Sequence, residues 1–263
     1  MVTGEEDGEI DNTNMFLIGE NEVDGDDYTS GVWESEIQMY RIHSIDSTVV
    51  IRQLPSQGIS FKLWLPATTL VTLLDNYRRD PENSPLTRTL SSFSSPVNIV
   101  ELGSGTGIVG ITAAATLGGN VTVTDLPNVV ENLRFNADAN GEVVTRSGGK
   151  IHVAPLRWGE VNDVEVLGNV DLILASDVVY DEHLYDPLLK TLRLMLFEGS
   201  KRVFLMAHLK RWKKESNFFK KAKKIFDVDV IHCDYPQEGS RIGVVVYRFA
   251  SKDHTQKNGL SNV

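Results

Sequence analysis

The sequence predicts an α/β fold: a doubly wound, mostly parallel seven-stranded sheet with an N-terminal β-hairpin and helix in front of it. Three observations carry that prediction. Over residues 97–247 short apolar runs alternate with longer stretches of helical spacing, strand then helix. The first of those runs ends in the glycine turn Gly103-Ser104-Gly105-Thr106-Gly107 and passes straight into a helix. With 263 residues, 41% of them hydrophobic, the chain is long enough to bury a substantial core.

Taken in order, residues 1–36 are rich in Asp, Glu, Gly and Asn, with one short apolar patch at Met15-Phe16-Leu17-Ile18. That is too little apolar surface to offset the entropy of ordering the segment, which reads as a mostly disordered tail. Residues 47–54 and 59–64 are β-rich and flank Pro55-Ser56-Gln57-Gly58, a hairpin expectation. Pro66 opens a helix to about Tyr77, with Leu70, Val71, Leu73 and Leu74 on one side. Residues 79–96 read as a surface loop. Strands then follow at 97–102, 121–124, 151–153, 170–175, 202–207, 228–231 and 242–247, the last able to pair antiparallel. Helices fall at 106–117, 126–139, 182–196 and 212–225, and residues 251–263 read as a polar tail. The catalytic-size domain is therefore expected over 37–250.

The formal charge of −10 is concentrated: 12 of the 36 acidic side chains lie between Glu5 and Glu36, before the first basic residue, Arg41. Residues 41–263 carry 24 acids against 26 bases, so the folded part is near neutral, which argues against nucleic-acid binding driven by bulk charge. The run from Lys210 to Lys224, eight Lys or Arg against one Glu with Trp212, Phe218 and Phe219 between, reads as a basic amphipathic helix whose aromatics enter the core. Cys233 is the lone cysteine, which excludes an intramolecular disulfide and a multi-cysteine zinc site and suits a reducing compartment, cytoplasmic or also nuclear. The six histidines are scattered without ligand-like pairing, so no metal is expected. The N-terminus does not read as a signal peptide, and no apolar run approaches the roughly 20 residues of a membrane span.

The strongest local signal is the strand-turn-helix Glu101-Leu102-Gly103-Ser104-Gly105-Thr106-Gly107-Ile108-Val109-Gly110. Glycines let the backbone turn sharply and approach a ligand, and the helix N-terminus offers free N–H groups. Gly105-x-Gly107-x-x-Gly110 matches a dinucleotide fingerprint, whereas Glu101-x-Gly103-x-Gly105-x-Gly107 matches the glycine turn of methyltransferases. Glu101 favours the second, because a carboxylate beneath the turn can accept from ammonium or amide groups and would repel a pyrophosphate. Asp125 ends the second strand some twenty residues past the loop, where an acceptor meets the hydroxyls of a ribose. Trp158 follows the third strand as a flat side chain able to stack on a ring, and Ser176 and Asp177 appear where the fourth apolar run stops. Gly103-Ser104-Gly105 lacks the spacing of a serine-hydrolase elbow.

This set resembles the family-16 protein methyltransferases, a seven-strand, Rossmann-like class that includes many protein-lysine methyltransferases. The carriers are Leu63-Trp64-Leu65-Pro66-Ala67, the loop from Glu101 to Gly107, Asp125 with Asn132, Leu156-Arg157-Trp158-Gly159, and Asp177-Val178-Val179-Tyr180 as a DxxY motif. They stand in the family's order and span about residues 45–250. The resemblance implies S-adenosyl-L-methionine as cofactor and a protein substrate. It also implies Trp64 and Trp158 bordering the cofactor, Gly103, Ser104 and Gly105 at its methionine portion, Asp125 at the ribose and Ser176 near the adenosyl group. Asp177 and Tyr180 are the expected catalytic pair, orienting and desolvating an entering lysine amine, with the choice between base and positioning role open for Asp177. His208-Leu209-Lys210-Arg211, after the fifth strand, have no assigned role. Methylation of a small molecule or nucleic acid, and a silent partner-binding scaffold, are the alternatives.

Overall fold

The computed structural model describes residues 35–197, 202–236 and 243–252. The expected acidic tail thus lies outside the described residues except at its last two positions, and most of the expected C-terminal tail lies outside them as well.

Strands β3 (Asn98–Leu102), β4 (Asn120–Asp125), β5 (Lys150–Pro155), β6 (Leu172–Ser176), β7 (Val203–His208), β8 (Phe226–Cys233) and β9 (Val245–Ser251) form one sheet. Its order is β5-β4-β3-β6-β7-β9-β8. The first five run parallel, and β9 is inserted antiparallel between β7 and β8. The chain winds outward from β3 through β4 to β5, then returns to β6 on the other side of β3. The carboxyl ends of β3, β4 and β6 therefore flank the switch point where ligands of open sheets bind.

The period of two along each strand divides the core. Ile99 of β3, Leu172 and Leu174 of β6 and Val203 and Leu205 of β7 face one layer. That layer holds α1 (Leu65–Arg79), α3 (Ile108–Leu117) and an N-terminal hairpin. Val100 and Leu102, Ile173 and Ala175, and Phe204 and Met206 face the other layer, built by α7 (Tyr185–Phe197) and α8 (Ser216–Ile225). Both faces of the central strands are covered, so β6 and β7 are nearly continuous apolar runs, whereas β4 and β5 alternate with polar residues. Each buried Leu, Ile, Val or Phe contributes about 1.5–3 kcal/mol. Among the described residues no helix is long and apolar enough to cross a membrane.

The hairpin is not the expected one. β2 (Ser47–Gln53) pairs antiparallel with β1 (Glu36–Ile42), which precedes it, and not with residues 59–64. Residues 55–57 and 59–61 are short 3-10 turns, and Gly58, at φ 120° and ψ −176°, carries the chain onward between them. The turn between β1 and β2 is pinned by Asp75 of α1, whose carboxylate accepts the backbone N–H groups of His43 and Ser44 at 3.1 and 2.7 Å. α1 begins as predicted, with Pro66 in its first turn and Leu70, Leu73 and Leu74 buried. Residues 79–96, read as a loop, contain the short helix α2 (Thr87–Leu90). Two further short helices, α5 (Gly141–Arg146) and α6 (Val161–Glu165), lie in stretches for which the sequence predicts no element, and the predicted helix over 126–139 is α4 (Val130–Ala139).

The second edge of β2 meets side chains in place of a strand. Asn140 accepts from Val50 N at 2.8 Å and donates to Val50 O at 2.7 Å. One turn earlier on α4, Asn136 accepts from Arg52 N at 2.8 Å and donates to Arg52 O at 3.0 Å. Asn132, another turn back, accepts from Arg52 Nε at 2.8 Å. Three amides at four-residue spacing share one helix face, so the helix presents a ladder of donors and acceptors to an extended chain. Asn136 also donates to the Thr106 carbonyl at 2.9 Å, tying the hairpin to the glycine turn.

Candidate active site

The glycine turn leaves β3 through left-handed backbone at Gly103 and Gly105, with φ of 60° and 55°. A Cβ at Gly103 would stand 2.9 Å from the Trp158 ring, and one at Gly105 would stand 2.9 Å from the Ser60 carbonyl oxygen. Only glycine allows both the conformation and the approach. Ser104 locks the turn to the sheet: its N–H donates to Thr124 O at 2.9 Å and its hydroxyl accepts from Thr124 N at 2.9 Å. Asp125, at the end of β4, accepts from Gly105 N at 2.8 Å with one oxygen and from Leu126 N at 2.7 Å with the other. Each oxygen keeps a lone pair for a ligand hydroxyl.

Nine of the ten residues expected at the site line one cavity of about 470 Å³ over the carboxyl ends of β3, β4 and β6. These are Trp64, Gly103, Ser104, Gly105, Asp125, Trp158, Ser176, Asp177 and Tyr180. Trp64 arrives from the segment after β2, its indole N–H held by the Ile59 carbonyl at 2.9 Å. Ile59, Ser60 and Leu63 of the same segment complete that wall, and Leu126 and Leu156 add apolar surface beside Trp158. The volume is that of a small-molecule or cofactor site.

Glu101 is the exception. It is 1% exposed and does not reach the cavity. Its carboxyl accepts the N–H of Gly110 at 2.9 Å, the third residue of α3, where a helix has no internal partner for that donor. Burial pushes Glu101 up to about 8 against the lowering effect of that N–H, so it carries a proton at neutral pH. Glu101 therefore caps the helix and supports the turn from below. Gly110 packs so close to Val123 and Glu101 that a Cβ would overlap both, which explains the third glycine of the competing fingerprint without any ligand.

The residues left unassigned in the sequence complete the other side. Asp177 adopts left-handed backbone at φ 58°, with its N–H on the Ala207 carbonyl at 2.9 Å. Its side chain is 6% exposed, and both oxygens receive Arg211 in a two-pronged ion pair at 2.9 and 2.7 Å. His208, buried at the end of β7, places Nδ1 3.7 Å from Asp177 and Nε2 3.2 Å from the buried Glu215. Burial alone would raise Asp177, but His208 and Arg211 outweigh it and hold the carboxyl below the usual range. For His208 burial pulls down, and Asp177 with Glu215 overrides it to leave the imidazole raised. Tyr180, 39% exposed, is raised by burial first and then by the charges of Asp125, Asp181 and Asp177. Arg211 could have been found only through its pairing, since 34 residues separate it from Asp177 and β6 and β7 must lie side by side before the two meet. Among the described residues no group of three or more His, Cys, Asp or Glu is arranged to hold a metal ion.

Comparison with known proteins shows which family the chain resembles in sequence. Over 150 residues the chain is 37% identical to the protein N-lysine methyltransferase METTL21A of Danio rerio, covering 57% of this chain and 64% of that protein. It is 35% identical over 134 residues to the protein-lysine N-methyltransferase rrg1 of Schizosaccharomyces pombe, covering 49% of this chain and 44% of that protein. It is 35% identical over 150 residues to the EEF1A lysine methyltransferase 3 of Mus musculus, covering 57% and 60%. The chain thus spans between 44% and 64% of the length of these relatives. Residues 44–225, which run from the hairpin turn to the end of α8, match the family described as lysine methyltransferase, and the chain belongs to that family.

Proposed function

We propose that the protein is an S-adenosyl-L-methionine-dependent methyltransferase that modifies a lysine side chain of a protein substrate. The observation that carries this reading is the convergence, in one cavity at the switch point, of the glycine turn, Asp125, two tryptophans and the Asp177–Tyr180 pair. The relatives named for lysine methylation support the acceptor class.

The residues present fit the cofactor. Asp125 has acceptor capacity left for the two ribose hydroxyls, and Trp158 and Ser176, which line the same cavity, would border the adenine ring and the adenosyl group. Gly103 and Gly105, which carry no side chain, would leave room for the methionine portion. When bound, S-adenosyl-L-methionine would supply a methyl carbon already activated by a sulfonium. The chain's own task is to align a neutral nitrogen with that carbon and to exclude water. Asp177 is held ionised by Arg211 and His208, with both oxygens engaged, so it serves as a fixed acceptor that orients the amine and not as a base with free capacity. Tyr180, held protonated first by burial and then by its acidic neighbours, lines the cavity. Cys233, exposed and unpaired, supports a reducing compartment, cytoplasmic or also nuclear.

Calorimetric titration with S-adenosyl-L-methionine and S-adenosyl-L-homocysteine, followed by a labelled-methyl assay on a nuclease-treated protein extract, tests the proposal. Binding with label in a discrete protein band is the expected result. Label lost with nuclease treatment would move the acceptor to nucleic acid, and absence of binding would remove the cofactor assignment.

A further inference from the structure

Asp177 is enclosed by charge. Arg211 takes both of its oxygens, His208 stands 3.7 Å from one of them, and Glu215 lies 3.2 Å beyond His208. Arg211 is itself fixed: Nη1 also donates to the Leu209 carbonyl at 3.2 Å, the backbone N–H donates to Glu215 at 3.0 Å, and the guanidinium carbon lies 5.6 Å from the Trp64 ring centre. A planar fork tied at this many points is part of the cavity wall.

A lysine side chain arrives from neutral water as an ammonium, which has no lone pair to donate. A carboxylate within a few ångströms stabilises that charged form, so an unpaired Asp177 would hold the acceptor in the state that cannot react. In the structure Arg211 pairs with Asp177 directly, and His208 stands between Asp177 and Glu215. The other titratable groups beside Asp177 are Tyr180 and Asp181 after β6, with Asp125 across the cavity, and these are neutral or negative. Lys62 and Arg157 also border the cavity, Arg157 in an ion pair with Asp163. The cation in contact with Asp177 at the cavity wall is therefore Arg211.

On the protein-lysine reading above, we propose that Arg211 determines the form of the acceptor: by closing both oxygens of Asp177 in one ion pair, it makes the site take the amine as free base and reject the ammonium. The proton passes to solvent as the amine enters. The nitrogen lone pair is then free to form the new N–C bond, while the C–S bond breaks with its electron pair left on sulfur and the positive charge passes from sulfur to nitrogen.

The test uses the full chain saturated with S-adenosyl-L-homocysteine and titrated with n-butylamine, which copies the lysine side chain, between pH 7 and 9.5, read by calorimetry. Apparent affinity in the native protein should rise close to tenfold per pH unit, as free base accumulates below its pKa of about 10. Arg211→Gln should flatten that slope, so that the ammonium binds as well as the free base, and Arg211→Lys should restore part of it. S-adenosyl-L-homocysteine affinity should stay within about threefold in both variants. A flat profile in the native protein, a native slope in Arg211→Gln, loss of S-adenosyl-L-homocysteine binding in both variants, or no binding of the amine in either form overturns the proposal. Labelling of no protein band by the native enzyme would instead sink the protein-lysine reading, and the butylamine titration would still decide the role of Arg211.

Discussion

Asp125 shows how one side chain can serve structure and ligand together. It holds the glycine turn through Gly105 N and the start of the next segment through Leu126 N, and it faces the cavity. Asp125→Ala removes charge-assisted bonds worth about 1.5–3 kcal/mol each, so S-adenosyl-L-homocysteine affinity should fall by at least about tenfold in calorimetry; unchanged affinity would remove the ribose assignment. Asp177→Asn should leave that affinity within about threefold while single-turnover methylation of the identified target falls by at least about tenfold. A loss of cofactor affinity equal to the loss of rate would make Asp177 a cofactor ligand. At this scale most of the site was legible, because the glycine turn, Asp125 and the Asp177–Tyr180 segment are local chemistry at the ends of recognisable strands. Glu101 was read toward the ligand because its place in the turn is visible in sequence, whereas the direction of its carboxyl depends on strand parity and on the donor waiting at Gly110. Arg211 stayed unread because its role is a contact between the segments that follow two neighbouring strands, β6 and β7.

At the scale of elements, the parallel strands were recovered to within a few residues, since β6 and β7 are apolar runs and the Val and Ile of β4 and β5 alternate with polar residues at the strand period. The hairpin was paired with the wrong partner. β1 exposes Ile37 and Met39 and lies at the edge of the acidic stretch, so its sequence lacks the inward alternation that marks β2. The β-rich look of residues 59–64 comes instead from Ile59, Leu63 and Trp64, all of which border the cavity. The asparagine ladder supplies the test for this layer. Asn136→Ala leaves Arg52 N and Thr106 O without their partner, and Arg52 O with only Asn132 Nδ2 at 3.3 Å, and should cost about 2–4 kcal/mol in urea unfolding. Because Asn136 also braces the glycine turn, the same variant should weaken S-adenosyl-L-homocysteine binding. Asn140→Ala, which touches only the hairpin and its own helix, should destabilise with a smaller effect on binding.

For the whole molecule, three shifted groups at and beneath the site, Asp177, His208 and Glu101, contribute to the pH dependence of stability. Asp177 is depressed, so its contribution is present above the ordinary carboxylate range and is lost as pH falls through its lowered value. His208 is raised, so its contribution is present below the usual imidazole value and is lost as pH rises through the raised one. Folded Glu101 keeps its proton where an unfolded glutamate has lost it, and stability therefore falls between about 4.5 and about 8. The thermal midpoint should peak on the acid side of neutrality. Glu101→Gln cannot ionise, so its stability relative to the native protein should improve by up to about 1.4 kcal/mol per pH unit across that window; a constant gap would show that Glu101 titrates normally. The order of the strands also bears on how the molecule comes to be made. β8 touches the sheet only through β9, and β9 comes after it in the chain. A nascent chain that has reached Cys233 thus carries two open edges, on β7 and on β8, with the strand that closes both still unsynthesised. Until Val245–Ser251 leave the ribosome the facing edges of β7 and β8 can recruit other chains, and insertion of β9 ends that exposure, leaving only the outer edges of β5 and β8.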